Sequence, residues 1–199
     1  MRIGLYGMPT AGKSYILDRI DFIEVVMGSK LLREMDPQFD TRDGVGRDDS
    51  RKKLAQKLME KQTFIMDGHY SFGDEIAFTE DDGKMYDVII YLYIAPEILE
   101  ERMEASDRNR KYLKYDISEW QSREIEALRE YCHSNDKDFY VIDNPPENAY
   151  ADTDSVLAFI KSIHEGYSCL GYSKQCAEAI LHSINGNCVT LLDGDKTIT

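Results

Sequence analysis

Eight consecutive residues, Gly7-Met8-Pro9-Thr10-Ala11-Gly12-Lys13-Ser14, carry the clearest chemistry in the chain. They fit G-x-x-x-x-G-K-[ST], the phosphate-cradling P-loop. Gly7 and Gly12 accept backbone angles and close approaches that a Cβ would block. Successive N–H groups then point inward at phosphate oxygens, at the positive end of the helix that follows. Lys13 offers a compact charge to the β- and γ-phosphates, and the Ser14 hydroxyl is a ligand for Mg²⁺. Gly7 through Tyr15 are therefore the expected nucleotide-binding residues.

Three further groups of residues could take part in the same chemistry. Asp67 ends the apolar run Thr63-Phe64-Ile65-Met66, where a carboxylate is well placed to hold Mg²⁺ or its water shell. His69 and Tyr70 follow it as candidate substrate-lining residues. Arg102 and the run Ser106-Asp107-Arg108-Asn109-Arg110-Lys111, with Lys114 nearby, form the densest basic cluster in an acidic chain. Such a cluster is usually a solvated face. Here it follows the fourth expected strand, where a lid would close over phosphates, and Arg108 and Arg110 are the expected lid cations. Asp36, Asp40 and Asp43 are the candidate bases for an acceptor hydroxyl, and nothing in the sequence ranks them.

The elements that must position these residues read as an alternation of strands and helices. Met1–Tyr6 is a short buried strand feeding the loop, and Ser14–Ile20 opens a helix. A second strand is expected over Asp21–Met27 and a short helix over Lys30–Met35. Asp36–Arg47 reads as irregular, with Asp48 or Asp49 capping a helix that reaches about Lys61. Gly73–Gly83 reads as a polar excursion with a hairpin around Asp81-Asp82-Gly83. Asp87–Ile94 has no polar alternation, so both faces should be covered, as in a parallel sheet. Pro96 suits the first turn of the next helix. Ile117–Tyr131 continues as a helix with Ile125, Leu128 and Cys132 inward, and Phe139–Asp143 is the fifth strand. Asp152 or Thr153 caps a helix with Val156, Phe159, Ile160 and Ile163 on one stripe.

The fold expected is α/β: three layers around a five-stranded parallel sheet, with a short C-terminal helix–strand appendage. The boundaries expected are 1–166 for the main domain, with its lid near 102–116, and 167–199 for the appendage. With 199 residues and 42% hydrophobic content, the chain can bury a sizeable core. The net charge of −13 disfavours a nucleic-acid or anionic-membrane partner. Cys132, Cys169, Cys176 and Cys188 show neither C-x-x-C pairing nor zinc spacing, so buried thiols in a reducing, cytoplasmic setting are expected. No apolar run approaches the ~18 residues of a membrane span.

Residues 1 to about 165 resemble the P-loop kinases of the adenylate-kinase-like group. The resemblance implies ATP and Mg²⁺ on the P-loop and an arginine-bearing lid, matched by Arg102, Arg108 and Arg110. Asp67-Gly68-His69-Tyr70 resembles the acidic motif after the third strand of that group. One departure matters: no acceptor signature stands between Asp21 and Asp49, so the acceptor is left open between a small molecule and a nucleotide. In the appendage, Ser173 caps a helix to Ile184, and the strand Cys188–Leu192 runs into Asp193-Gly194-Asp195-Lys196-Thr197. That run resembles the first motif of haloacid-dehalogenase-type phosphatases, which implies Asp193 as nucleophile and Asp195 as general acid/base, both beside Mg²⁺. The later residues of that motif set are missing up to Thr199. The sequence is therefore expected to be the front of a longer kinase–phosphatase polypeptide or a partner to a separate phosphatase chain, itself without phosphatase activity. Phosphoryl transfer from ATP leads. A polynucleotide 5′-hydroxyl kinase/phosphatase and a non-catalytic ATP sensor are the alternatives.

Overall fold

The computed structural model describes residues 1–143 and 153–183. Packing divides the backbone into two units, Met1–Glu165 and Gly166–Thr199. The first unit begins β1 (Arg2–Tyr6), α1 (Lys13–Leu17), β2 (Val25–Val26), α2 (Gly28–Met35), α3 (Gly44–Met59) and β3 (Phe64–Asp67). It continues β4 (Ser71–Phe72), β5 (Glu75–Ile76), α4 (Glu80–Met85), β6 (Val88–Tyr93), α5 (Pro96–Glu104), α6 (Ile117–Ser134), β7 (Asp138–Asp143) and α7 (Thr153–His164). The second unit contributes α8 (Cys169–Ser183), whose first turn is capped by Ser168 Oγ accepting from the Gly171 amide at 3.0 Å.

Five strands pair in parallel in the order β2–β3–β1–β6–β7, which is the five-stranded parallel sheet expected from the sequence. Alternate side chains feed two separate apolar layers, which explains why the strands read as unbroken hydrophobic runs. Phe64, Met66, Ile89 and Tyr91 face α3 and α6, joining Leu54, Leu58, Leu128 and Cys132. Ile3, Leu5, Ile65, Val88, Ile90 and Leu92 face α1 and α7, joining Ile16, Leu17, Val156, Ile160 and Ile163. Burial pushes the Cys132 thiol up to about 11, in keeping with a core role. A third cluster lies at the carboxyl end of the sheet, where Met8, Ala11, Ile94, Leu99, Met103, Ile117 and Trp120 pack together. The register sets Leu5 opposite both Asp67 and Ile90, so β1, β3 and β6 end at one crevice, where ligands of open α/β sheets bind.

Four local expectations are corrected. The second strand is two residues rather than seven, because β2 is an outer strand that pairs only with β3. α3 starts at Gly44, not after Asp48 or Asp49, because Asp43 Oδ1 accepts from the Gly46 amide at 2.8 Å and caps it. Asp81-Asp82-Gly83 is helical. Thr79 and Asp82 form a reciprocal capping box that starts α4, and the hairpin of this region is β4–β5 instead. α8 begins at Cys169, placing Ser173 inside the helix rather than at its cap. The expected strand 188–192, Asp193 and Asp195 lie outside the described residues.

The segment between α2 and α3 is irregular but tied down. Asp36 accepts from the Arg42 guanidinium, from Ser50 Oγ at 2.6 Å and from the Gln38 amide at 3.2 Å. The Arg42 and Ser50 bonds hold its carboxyl down to about 2. A depressed carboxylate contributes stability that is complete above its unfolded value near 4 and disappears as pH falls through its folded value. Wild type should therefore melt above Asp36→Asn at pH 5–7, with the gap closing between about pH 4 and 2. Thermal melts of both proteins across that range check it.

Candidate functional site

The P-loop leaves β1 through backbone that ordinary residues resist. Gly7 has φ 151°, and a Cβ there would stand 2.8 Å from the Leu92 carbonyl oxygen of β6. Thr10 is left-handed at φ 67°, a conformation that costs on the order of 1–3 kcal/mol when surrounding structure imposes it. Part of that restraint comes from α5, whose Arg102 Nη1 donates to the Thr10 carbonyl at 3.2 Å. The loop then closes with Ala11 N–H donating to Met8 O at 3.2 Å and opens α1 at Lys13.

Lys13 is buried, and its Nζ donates to the carbonyls of Gly7 at 2.6 Å and Met8 at 3.0 Å. Burial pulls its ammonium down to about 8, opposed by the charges of Asp67 and Glu124. Asp67 stands across the crevice at the end of β3, where its Oδ1 accepts from the Gly28 amide at 2.7 Å. That bond orients the carboxylate and satisfies the first turn of α2 together.

One cavity of about 630 Å³, within the usual range for small-molecule sites, joins these residues. Of the residues singled out from the sequence, Pro9 to Tyr15, Asp67, His69, Asp40 and Arg108 line it. Gly7 and Met8 lie beneath the loop as acceptors for Lys13. Arg110 lies off the cavity, with Nε and Nη2 donating to the Glu104 carbonyl at 3.2 and 2.7 Å and so closing the end of α5. Asp36 is held by Arg42, and Asp43 by its cap, so neither lines the cavity. Tyr70 packs away from it on Phe78, with ring centroids 5.6 Å apart. His69 is part-buried, its ring 4.8 Å from that of Phe72. Burial, then the charges of Lys13 and Arg108, keep it well below the ordinary histidine value and therefore neutral.

The opposite wall was not legible as a site from the sequence. Arg33 forks onto Asp40 at 2.8 and 3.1 Å. Arg47 binds both oxygens of Glu75 at 3.0 and 3.3 Å. Arg51, only 8% exposed, donates to Asp48 at 2.8 Å and lies over Phe39. The i, i+4 spacing of Arg47 and Arg51 on α3 is the signal that could have placed both on one face. Lys111 joins Arg108 on the side of the basic segment. The lining thus holds six cations against four carboxylates, in a chain whose net charge is −13.

Behind the cavity, Glu124 of α6 is buried and accepts four hydrogen bonds. They come from Ser71 N at 3.0 Å, Ser71 Oγ at 2.8 Å, Trp120 Nε1 at 3.0 Å and Tyr91 OH at 2.9 Å. Burial raises its carboxyl, and these donors pull it back. Glu124 was not among the residues singled out from the sequence, although its place on the stripe Trp120, Glu124, Leu128, Cys132, each four residues apart, is a signal that could have shown it inward-facing.

Three shikimate kinase structures share this fold at low sequence identity. The enzyme from Aquifex aeolicus is 19% identical with a TM-score of 0.55, covering 84% of this chain and 100% of that one. The Acinetobacter baumannii enzyme in complex with shikimate is 15% identical with a TM-score of 0.56, covering 81% and 93%. The Bacteroides thetaiotaomicron enzyme is 15% identical with a TM-score of 0.53, covering 81% and 98%. No curated protein matches the sequence. A family model described as AAA domain matches residues 6–121, a span that begins at the end of β1 and takes in the P-loop, Asp67, the arginine wall and the basic segment. The chain belongs to that AAA domain family of P-loop proteins.

Proposed function

We propose that the protein is a phosphotransferase that moves the terminal phosphoryl group of ATP onto a hydroxyl of a small acceptor bearing its own anionic group. The observation that carries this reading is the cation-rich lining of one cavity that has a P-loop at one end and an arginine wall at the other. Lys13 turns from the Gly7 and Met8 carbonyls to the β- and γ-phosphates, an exchange of neutral acceptors for charged ones. Arg108 and Lys111 meet the charge that spreads over the transferring oxygens. Arg102 and Arg110 act at one remove, by fixing Thr10 and the end of α5.

Among the described residues no cluster of three or more His, Cys, Asp or Glu could hold a metal unaided. The donors present suit Mg²⁺, which keeps several waters and takes one or two protein ligands plus substrate phosphates. Ser14 and Asp67 would hold it, and bound there it would offset phosphate charge. In the transfer, the bond from the γ-phosphorus to its bridging oxygen breaks to release ADP, and a bond to the acceptor oxygen forms. A loose transition state asks little of a base. Asp40, the candidate base that lines the cavity, is held low by Arg33 and so takes the hydroxyl proton late.

The arginine wall argues for the acceptor's charge. At Arg47 and Arg51 the partners are exposed carboxylates, in surface pairs worth about 0–1 kcal/mol, so an incoming carboxylate or phosphate exchanges for them at small cost. A turnover screen of phosphorylated and carboxylated alcohols against their neutral counterparts tests the assignment. Anionic acceptors should dominate, and turnover confined to neutral alcohols would exclude it.

Three substitutions separate the roles. Arg108→Ala should lower turnover by about 10³-fold or more while the melting temperature holds, since a transition-state arginine supplies ~10³–10⁵ in rate. Lys13→Ala should abolish both ATP binding and turnover. Arg51→Met should instead raise the acceptor KM by roughly 10–100-fold, the worth of one charged hydrogen bond, with ATP affinity unchanged. Steady-state kinetics and calorimetric ATP titrations report each.

A further inference from the structure

The hairpin β4–β5 touches both halves of the cavity. On one side Tyr115 of the basic segment lies over Gly73, so close that a Cβ there would meet its ring at 2.4 Å. Gly73 has φ +70°, and no other residue would fit this turn without strain. Phe72 stacks on Tyr112 with centroids 6.5 Å apart and meets His69 at a tilt, at 4.8 Å. On the other side Glu75 pairs with Arg47 of the arginine wall. The hairpin is therefore a strut between the basic segment and the acceptor wall.

What fixes the strut at its root is Glu124. Through Ser71 it holds the first residue of β4, and through Tyr91 it holds β6 in the middle of the sheet. Its third partner, Trp120, is the platform of the basic segment. Tyr112 and Tyr115 both meet that indole edge-on, at 5.5 and 5.6 Å. The indole N–H is shared between Ser71 Oγ at 2.7 Å and Glu124. Trp120 also belongs to the apolar cluster that contains Met8 and Ala11 of the P-loop. A single carboxylate thus ties the hairpin, the sheet and the platform of the basic segment, and each bond is lost if it moves.

We propose that Glu124 is a positioning residue for the transfer step: by locking Ser71 and Trp120 together it sets where Arg108 and Lys111 stand over the P-loop once nucleotide is bound. It touches neither nucleotide nor acceptor, so its removal weakens transfer without weakening ATP binding. The inference rests on the phosphotransfer reading above.

Glu124→Gln keeps the side chain's size but removes the charge, so the bonds from Ser71 and Trp120 to its remaining oxygen lose their charge assistance, and its amide nitrogen meets the Tyr91 hydroxyl, which must turn from donor to acceptor. Trp120 is the sole tryptophan of the chain, so its emission reports on the platform directly. In wild type, ATP with Mg²⁺ should change that emission, and slow hydrolysis of ATP by water supplies a transfer rate that needs no identified acceptor. Glu124→Gln should bind ATP within twofold of wild type by calorimetry, lose more than half of the emission change, and hydrolyse ATP about tenfold more slowly. Tyr91→Phe, which removes one donor and keeps the ring, should show the same pattern at about threefold, and serves if Glu124→Gln does not fold. If the folded variants match wild type in emission change and rate, or lose ATP affinity in step with rate, Glu124 is structural only and the proposal fails. Wild type that binds no ATP would instead remove the phosphotransfer reading itself.

Discussion

A buried ammonium has to be answered by oxygen, and the way Lys13 is answered organises this protein. Its Nζ is held by two carbonyls of the loop that precedes it, so the chain folds around its own cation. Everything that shapes the loop serves that arrangement. Gly7 lets the backbone pass against Leu92, Thr10 accepts a left-handed turn, and Arg102 pins Thr10 from α5. The carbonyl bonds also leave Lys13 attached to groups it can release, where a direct carboxylate partner would have to be displaced at greater cost.

Around that point the charges are sorted by depth rather than by segment. The exterior is strongly acidic, while cations collect in the cavity from α2, α3 and the segment after α5. Most of the cavity arginines are paired with carboxylates nearer the surface, so the wall stays soluble and still attracts anions. His69, neutral between Lys13 and Arg108, adds no further positive charge to a crowded place.

The strands and long helices were legible because periodicity reports burial, and burial here is two-sided and regular. β1, β3, β6 and the stripe of α7 follow from that alone. The P-loop and Asp67 were legible because few residue types do their chemistry at that spacing. What escaped was set by partners distant in sequence or by caps. Asp43 and Thr79 start α3 and α4 through hydrogen bonds that a hydrophobicity pattern does not register. The arginine wall assembles from residues whose carboxylate partners lie up to 28 positions away, and Glu124 finds Ser71 across 53. Charge clustering picked out residues 106–114 but could not tell Arg108, which reaches the cavity, from Arg110, which closes a helix.

The two outer strands of the sheet carry a consequence of a different kind. Among the described residues β2 offers only two residues of edge, and the apolar run Phe139–Ile142 of β7 is bracketed by Asp138 and Asp143. A short border and acidic gatekeepers are the devices that keep open sheets from stacking edge to edge into aggregates. Neutralising Asp138 and Asp143 would strip the second of these protections while leaving the crevice untouched, so colloidal behaviour is governed at the borders of the sheet and chemistry at the ends of its inner strands.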